Sequence, residues 1–290
     1  MRKIIAILTI VLLVVVVYSC KKSTSVQDLK TVSLVLPPTP ANYYPSTFDS
    51  SMNKTATLGR VLFYDSHLSV NNAISCGSCH KQALGFGDNS AFSTGYQGLP
   101  TKRNSLPISD LSLAGSLFWD GREDRLANLS LRPISNHVEM GISDFDALCT
   151  KLAALPYYTQ LFHDAYGDNQ ITSDRISGAL GVFMQAITTG NSRFDQYNAG
   201  NKSVLTAQEI EGMNLFNTKY NCGTCHNGGG GYYGNGSFKD IGLDNSYSDL
   251  GRGEVTGIAA DNGSFRIPNL RNVALTAPYM HDGRYKTLGD

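Results

Sequence analysis

Apolar positions fall into four stretches with helical spacing. Over Thr55–Tyr64, Ala56, Leu58, Val61 and Leu62 recur at short helical intervals, so one face of a helix is greasy. The same period runs over Asp144–Leu155, with Ser143 placed to cap it, and over Ile171–Thr189. A fourth stretch, Leu205–Phe216, opens on Thr206-x-x-Glu209, a capping-box pattern. No sustained alternation and no series of hairpin turns predicts a sheet. Gly-, Asn- and Ser-rich stretches, notably Asn227 to Gly236, separate the helical ones. Loops of such length in a compact domain usually wrap something. The pattern predicts a mainly α chain whose loops are organised around a ligand.

The N-terminus follows another pattern. Arg2 and Lys3 precede an apolar run from Ile4 to Tyr18 that ends at Ser19-Cys20. Charged start, short apolar run and small residue predict a secretory signal over residues 1–19, too short to span a bilayer comfortably. Val17-Tyr18-Ser19-Cys20 resembles a bacterial lipoprotein cleavage box, and cleavage before Cys20 leaves its thiol to carry lipid. An uncleaved anchor is the alternative. Both place the body outside the cytoplasm. Residues 20–43, polar and carrying Pro37-Pro38-Thr39-Pro40, read as a tether.

Composition narrows the partners. The 290 residues hold 24 basic and 24 acidic side chains, charged residues are 17%, and no basic block occurs. Nucleic acid is excluded as the main partner, because phosphate binding needs clustered Lys and Arg. Six cysteines are too few for a disulfide scaffold, so their spacing carries the information. Cys76-Gly77-Ser78-Cys79-His80 and Cys222-Gly223-Thr224-Cys225-His226 are both C-x-x-C-H. Two thiols add across the two vinyl groups of haem, and the adjacent histidine becomes the proximal iron ligand. A four-cysteine zinc site would leave both histidines unexplained, and a thioredoxin-like pair needs a strand–helix alternation that is missing. Haem c attachment also fits export. Cys149, in an apolar stretch, reads as an ordinary core residue. The motifs divide the body into one haem domain over 44–200 and a second over 201–290. The first continues for more than a hundred residues after its motif, which argues for a site beyond electron carriage.

From these motifs outward the chain resembles the bacterial dihaem cytochrome c peroxidases, including the enzymes that mature methylamine dehydrogenase. The resemblance rests on Leu58-Gly59-Arg60-Val61-Leu62-Phe63-Tyr64-Asp65, Arg103-Asn104, Phe118-Trp119-Asp120-Gly121-Arg122 and Glu139-Met140-Gly141. Pro268-Asn269-Leu270-Arg271-Asn272-Val273 and Leu275-Thr276-Ala277-Pro278-Tyr279-Met280-His281-Asp282-Gly283 complete it. It implies two cytochrome c-like domains, each wrapped around one covalently bound haem. The N-terminal haem handles hydrogen peroxide, and the C-terminal one receives electrons from a small donor, a cytochrome c or cupredoxin. Trp119, the only tryptophan, matches the indole between the haems. Glu139 matches the family's distal glutamate, which takes a proton from bound peroxide and returns it to the departing oxygen. Asn104, Thr276 and Pro278 match the ligands of a calcium ion between the domains, with a metal-free turn as the alternative. Asp244, Asp249 and Asp261 fit no EF-hand spacing and are expected to be solvated. The resemblance places His281 near the second haem, where an electrostatic or a packing role is expected. His67 and His163 read as surface residues, while His137, beside the glutamate loop, is left open.

Two departures shape the functional reading. Many relatives carry a displaceable histidine ligand about sixteen residues beyond the first haem histidine, where this chain has Tyr96. Relatives also supply the far ligand of the second haem about fourteen residues after the His281 position, so a chain ending at Asp290 is expected to have its second domain cut short. The expected function is periplasmic peroxide reduction with a one-electron donor, anchored through lipid on Cys20 and otherwise without membrane contact; a homodimer is compatible with it. The alternatives are an oxidase that modifies side chains of a partner protein, and a non-catalytic dihaem electron carrier.

Overall fold

The computed structural model describes residues 52–227, 234 and 236–290. The signal, Cys20 and the whole tether lie outside the described residues. Helix α1 (Asn53–Tyr64) buries Ala56, Leu58, Leu62 and Phe63 on one face. The single turn α2 (Cys76–Cys79) carries the first haem motif. There follow α3 (Leu126–Ser135), α4 (Phe145–Ala153), α5 (Pro156–Tyr166), α6 (Ser173–Ala186) and α7 (Arg193–Asn198). Beyond residue 200 come α8 (Ala207–Asn217), β1 (Phe238–Lys239), α9 (Gly253–Thr256) and β2 (Phe265–Arg266).

The core of the first half is a helix stack. Helix α6 packs against both α1 and α3, and α5 lies on α1. Gly59 permits the closest approach, since a Cβ there would fall 1.9 Å from the Ala179 carbonyl oxygen of α6. Tyr158, Phe162, Ile176 and Leu180 fill the space between the helices. The second half is built of loops around a two-stranded antiparallel ribbon, β1–β2, with Phe238 opposite Arg266 and Lys239 opposite Phe265.

Helix ends correct the sequence reading in detail. Asp144, not Ser143, caps α4, because its carboxylate accepts from the Asp146 and Ala147 amides. The Thr206–Glu209 capping box forms as expected, with α8 starting at Ala207. Helices α3, α5 and α7 were not predicted. Pro133 lies inside α3 and Pro156 opens α5 at the first helical position, where proline's missing N–H costs nothing. Among the described residues no helix is long and apolar enough to cross a membrane.

Candidate active site

The first haem motif is held on a well-braced turn. Ser75 and Ser78 form a reciprocal capping box at the start of α2, and Tyr64 packs its ring on Gly77. His80 Nδ1 lies 3.1 Å from the Phe86 carbonyl oxygen, which can accept from Nδ1–H in the tautomer whose Nε2 carries the lone pair. Burial lowers the His80 pKa, only partly offset by the Phe86 carbonyl, so the ring favours the neutral form an iron ligand needs. Burial, with the neighbouring Cys79, pushes the Cys76 thiol up to about 12. These residues wall a cavity of about 550 Å³ shared by Phe63, Ile108, Leu111, Leu117, Leu180 and Met184. An apolar cavity within the usual ligand range, with two cysteines and a neutral imidazole on one wall, fits a covalently held haem.

Glu139 stands in this cavity with Trp119, Arg122, His137 and Met140. It follows the end of α3, where the Asn136 carbonyl accepts from the amides of Glu139, Met140 and Gly141. The Asn136 amide group then donates to Glu139 Oε1 at 2.9 Å and fixes the carboxyl. Burial raises the Glu139 pKa, and the charge of Arg122 pulls the other way. Arg122 lies flat on Phe118, its guanidinium carbon 3.6 Å from the ring centroid, and donates to both oxygens of Asp120. His137 is exposed at the cavity rim. Asn136, three residues before Glu139, was not singled out from the sequence, and Arg122 appeared there only as the last residue of the Phe118–Arg122 motif, without a role.

Tyr96 does not line this cavity. Its ring packs on Gly141, its hydroxyl accepts from Gln97 at 2.7 Å, and its amide donates to the Glu139 carbonyl at 3.0 Å. Gly95 lets the two loops meet, since a Cβ there would fall 1.7 Å from the Val138 carbonyl oxygen.

The second motif, on a 3₁₀ turn at Cys222–Thr224, faces a cavity of about 310 Å³ lined by Cys225, His226, Leu243, Ile267, Met280 and His281. The two cavities share a wall made of Asn104, Leu106, Pro107, Trp119 and Arg266. Trp119 is buried at its centre. Its Nε1 donates to the Asn104 carbonyl at 2.9 Å, and the Asn104 amide donates to the His281 carbonyl at 2.7 Å. His281 stacks on Phe265 with centroids 3.7 Å apart, and both rings meet Trp119 edge-on. The packing role expected of His281 is therefore present.

The candidate calcium residues Asn104, Thr276 and Pro278 all border the second cavity. The Asn104 side-chain nitrogen donates to the Ser90 and Ala91 carbonyls, which turns Oδ1 into the available donor for a hard cation. Beside them lies an ion cluster that the sequence did not show. Arg103 is buried between Asp120 and Asp249, holding both oxygens of Asp249 at 2.7 Å, and reaches Glu254 at 3.2 Å. Burial opposes ionisation of Asp249, but the Arg103 hydrogen bonds hold its pKa at about 2. Asp249 was expected to be solvated and is instead a bridge. Asp244 pairs with Arg284, and Asp261 accepts from Thr256 Oγ1 at 2.8 Å. His163 is exposed, while His67 leans on Asp65.

Comparison with known proteins agrees with this arrangement. The family model described as di-haem cytochrome c peroxidase matches residues 53–203. A cytochrome c551 peroxidase of Nitrosomonas europaea is 38% identical over 237 residues, covering 80% of this chain and 70% of that protein. The chain belongs to the dihaem cytochrome c peroxidase and MauG family. The methylamine utilization protein MauG of Methylorubrum extorquens is 34% identical, with 80% of this chain and 65% of that protein covered. A crystal structure of a MauG-like protein associated with microbial copper homeostasis superposes with a TM-score of 0.78 at 31% identity, over 86% of this chain and 79% of that one. Membership implies two c-type haems and an oxidoreductase of the peroxidase or oxidase type.

Proposed function

We propose that the chain is a periplasmic dihaem cytochrome c peroxidase that reduces hydrogen peroxide to water with electrons from a small redox protein. The observation that supports this most directly is that His80, Glu139 and Trp119 wall one cavity, and Trp119 also walls the second. Cys76, Cys79 and His80 would hold one haem, which would supply the peroxide-reactive iron, and Cys222, Cys225 and His226 would hold the second, which would supply the electron store. Glu139 is the general base and then acid: its carboxylate accepts a proton from peroxide and delivers it to the leaving oxygen. Asn136 holds that carboxyl in place, and Arg122 keeps part of it ionised against the cost of burial. Trp119 gives the electron an aromatic, hydrogen-bonded route through the shared wall. Asn104, Thr276 and Pro278 would take calcium and tie the Trp119 wall to the second half. The protein would be exported and held by lipid on Cys20.

A second reading is an oxidase acting on a partner protein; a methylamine utilization protein MauG is among the relatives. Tyr96, set outside the first cavity, favours keeping it, because a site without a closing histidine can react before reduction. Steady-state turnover of peroxide with reduced cytochrome c tests the choice. Sustained turnover supports the peroxidase; peroxide reaction without donor turnover supports the oxidase.

A further inference from the structure

One polar cluster in the core of the first half has no part in the chemistry above. Tyr157 and Tyr158, near the start of α5, both donate their phenolic hydrogens to Oδ2 of Asp65, each at 2.7 Å. The other oxygen, Oδ1, accepts from the His67 amide at 2.8 Å and lies 2.6 Å from His67 Nδ1. Tyr158 is fully buried, Tyr157 is half-buried, and their rings lie 4.6 Å apart. The His67 side chain is 37% exposed. Phenol, carboxylate, imidazole and solvent thus follow one another without a gap.

The cluster adjoins the first cavity. Tyr158 shares one apolar core with Phe63, which lines that cavity, and Cys76 packs against the same core. Phe63 lies two residues before Asp65 on the same chain segment. Burial works against ionised Asp65, but the hydrogen bonds from His67, Tyr158 and Tyr157 hold its carboxyl below the usual range. Burial and the Asp65 charge keep both phenols protonated. Lys151, which donates to the Ser69 carbonyl, adds a positive charge on the Asp65 side. A carboxylate that only tied α5 to α1 would need one phenol; two phenols on one oxygen, plus an imidazole open to solvent, make a proton route.

We propose that Tyr158, Tyr157, Asp65 and His67 form a proton-coupled redox relay that draws oxidising equivalents from the first haem site when donor protein is scarce. This rests on the peroxide-reducing reading, in which hydrogen peroxide is the oxidant. Tyr158 gives one electron to the oxidised haem site while its phenolic proton passes to Asp65 Oδ2. The result is a neutral phenoxyl radical, so no new charge is left uncompensated in the core. Tyr157 then refills Tyr158: one electron moves between the rings, Asp65 returns a proton to Tyr158 and takes one from Tyr157. The radical ends on the half-buried ring, where an external reductant restores it by one electron and one proton, while the proton left on Asp65 leaves through His67 to solvent and the carboxylate is restored.

The test mixes the holoprotein with hydrogen peroxide without reductant and freezes it for electron paramagnetic resonance. A tyrosyl radical is expected, with a signal that narrows when the unaltered chain is made with ring-deuterated tyrosine. It should be lost in the Tyr157→Phe, Tyr158→Phe double variant, while peroxide turnover with donor supplied stays unchanged. Mass spectrometry should then find more oxidation at Met140 and Met184, which face the first cavity. Tyr157→Phe alone, a milder change at a half-buried site, should alter the spectrum by removing the outer radical. Peroxide consumption without an organic radical, a signal indifferent to tyrosine deuteration, or one unchanged in Tyr157→Phe overturns the relay alone. No reaction with peroxide at all overturns the peroxidase reading and the relay with it.

Discussion

Around Cys76-Cys79-His80 the haem cavity is cut into a helix stack that has a core of its own. Leu58, Leu62, Phe63, Tyr158, Phe162, Ile176 and Leu180 are each at most 1% exposed, and they pack on one another across three helices. Around Cys222-Cys225-His226, Ile267, Pro278 and His281 are the buried aliphatic or aromatic side chains described after residue 200, and α8 buries none. Polar ties take over there: the Arg103 cluster, Arg271 on Asp195, and Arg284 on Asp244. Buried apolar area is the main favourable term in folding. The first half is therefore expected to keep its fold without haem, whereas the second is expected to need the apolar disc as its core.

The largest expected effect breaks this asymmetry open. Changing Cys222 and Cys225 to Ala should abolish most amide-exchange protection after residue 205 while α1 and α6 keep theirs, as measured by hydrogen exchange with mass spectrometry. Equal protection in both halves would contradict the contrast. Next, Glu139→Gln should leave both haem spectra intact and slow peroxide cleavage by roughly a hundredfold, which stopped-flow absorbance reads. The same change should not alter reduction of the second haem. Third, Trp119→Phe should keep peroxide binding but slow electron passage between the haems by about tenfold, or about 1.4 kcal/mol of barrier. Laser-triggered reduction of the second haem measures it.

The smallest effect is a pH shift. Burial raises the Glu139 pKa, and the ionised form is the proton acceptor, so the rate should fall on acidification at a higher pH than an ordinary glutamate would give. Removing the opposing charge with Arg122→Gln should move that acid limb higher still. A limb that stays in place would take Arg122 out of the proton chemistry.

Legibility from sequence followed the kind of constraint. The haem motifs were plain because covalent attachment fixes the spacing of two thiols and a histidine. Trp119 and Glu139 were reachable because each sits in a short local motif. Helix α1 showed its apolar face, but α3 and α5 were not predicted; each carries a proline, Pro133 within α3 and Pro156 at the first position of α5. The Arg103–Asp249 bridge joins residues 146 apart, and no local pattern encodes such a pair. Asp65 was quoted within a motif, yet its two phenol partners lie more than ninety residues away.

On the peroxidase reading the first cavity is the peroxide site, and Tyr96, packed on Gly141, leaves it open. Electron paramagnetic resonance of the fully oxidised holoprotein, before and after hydrogen peroxide, tests it most directly. A phenol with a pKa near ~10 is a poor iron ligand unless deprotonated. The expected result is a high-spin signal from the first haem that disappears on mixing, without prior reduction. Low-spin signals from both haems, with peroxide reactivity only after partial reduction, would contradict it.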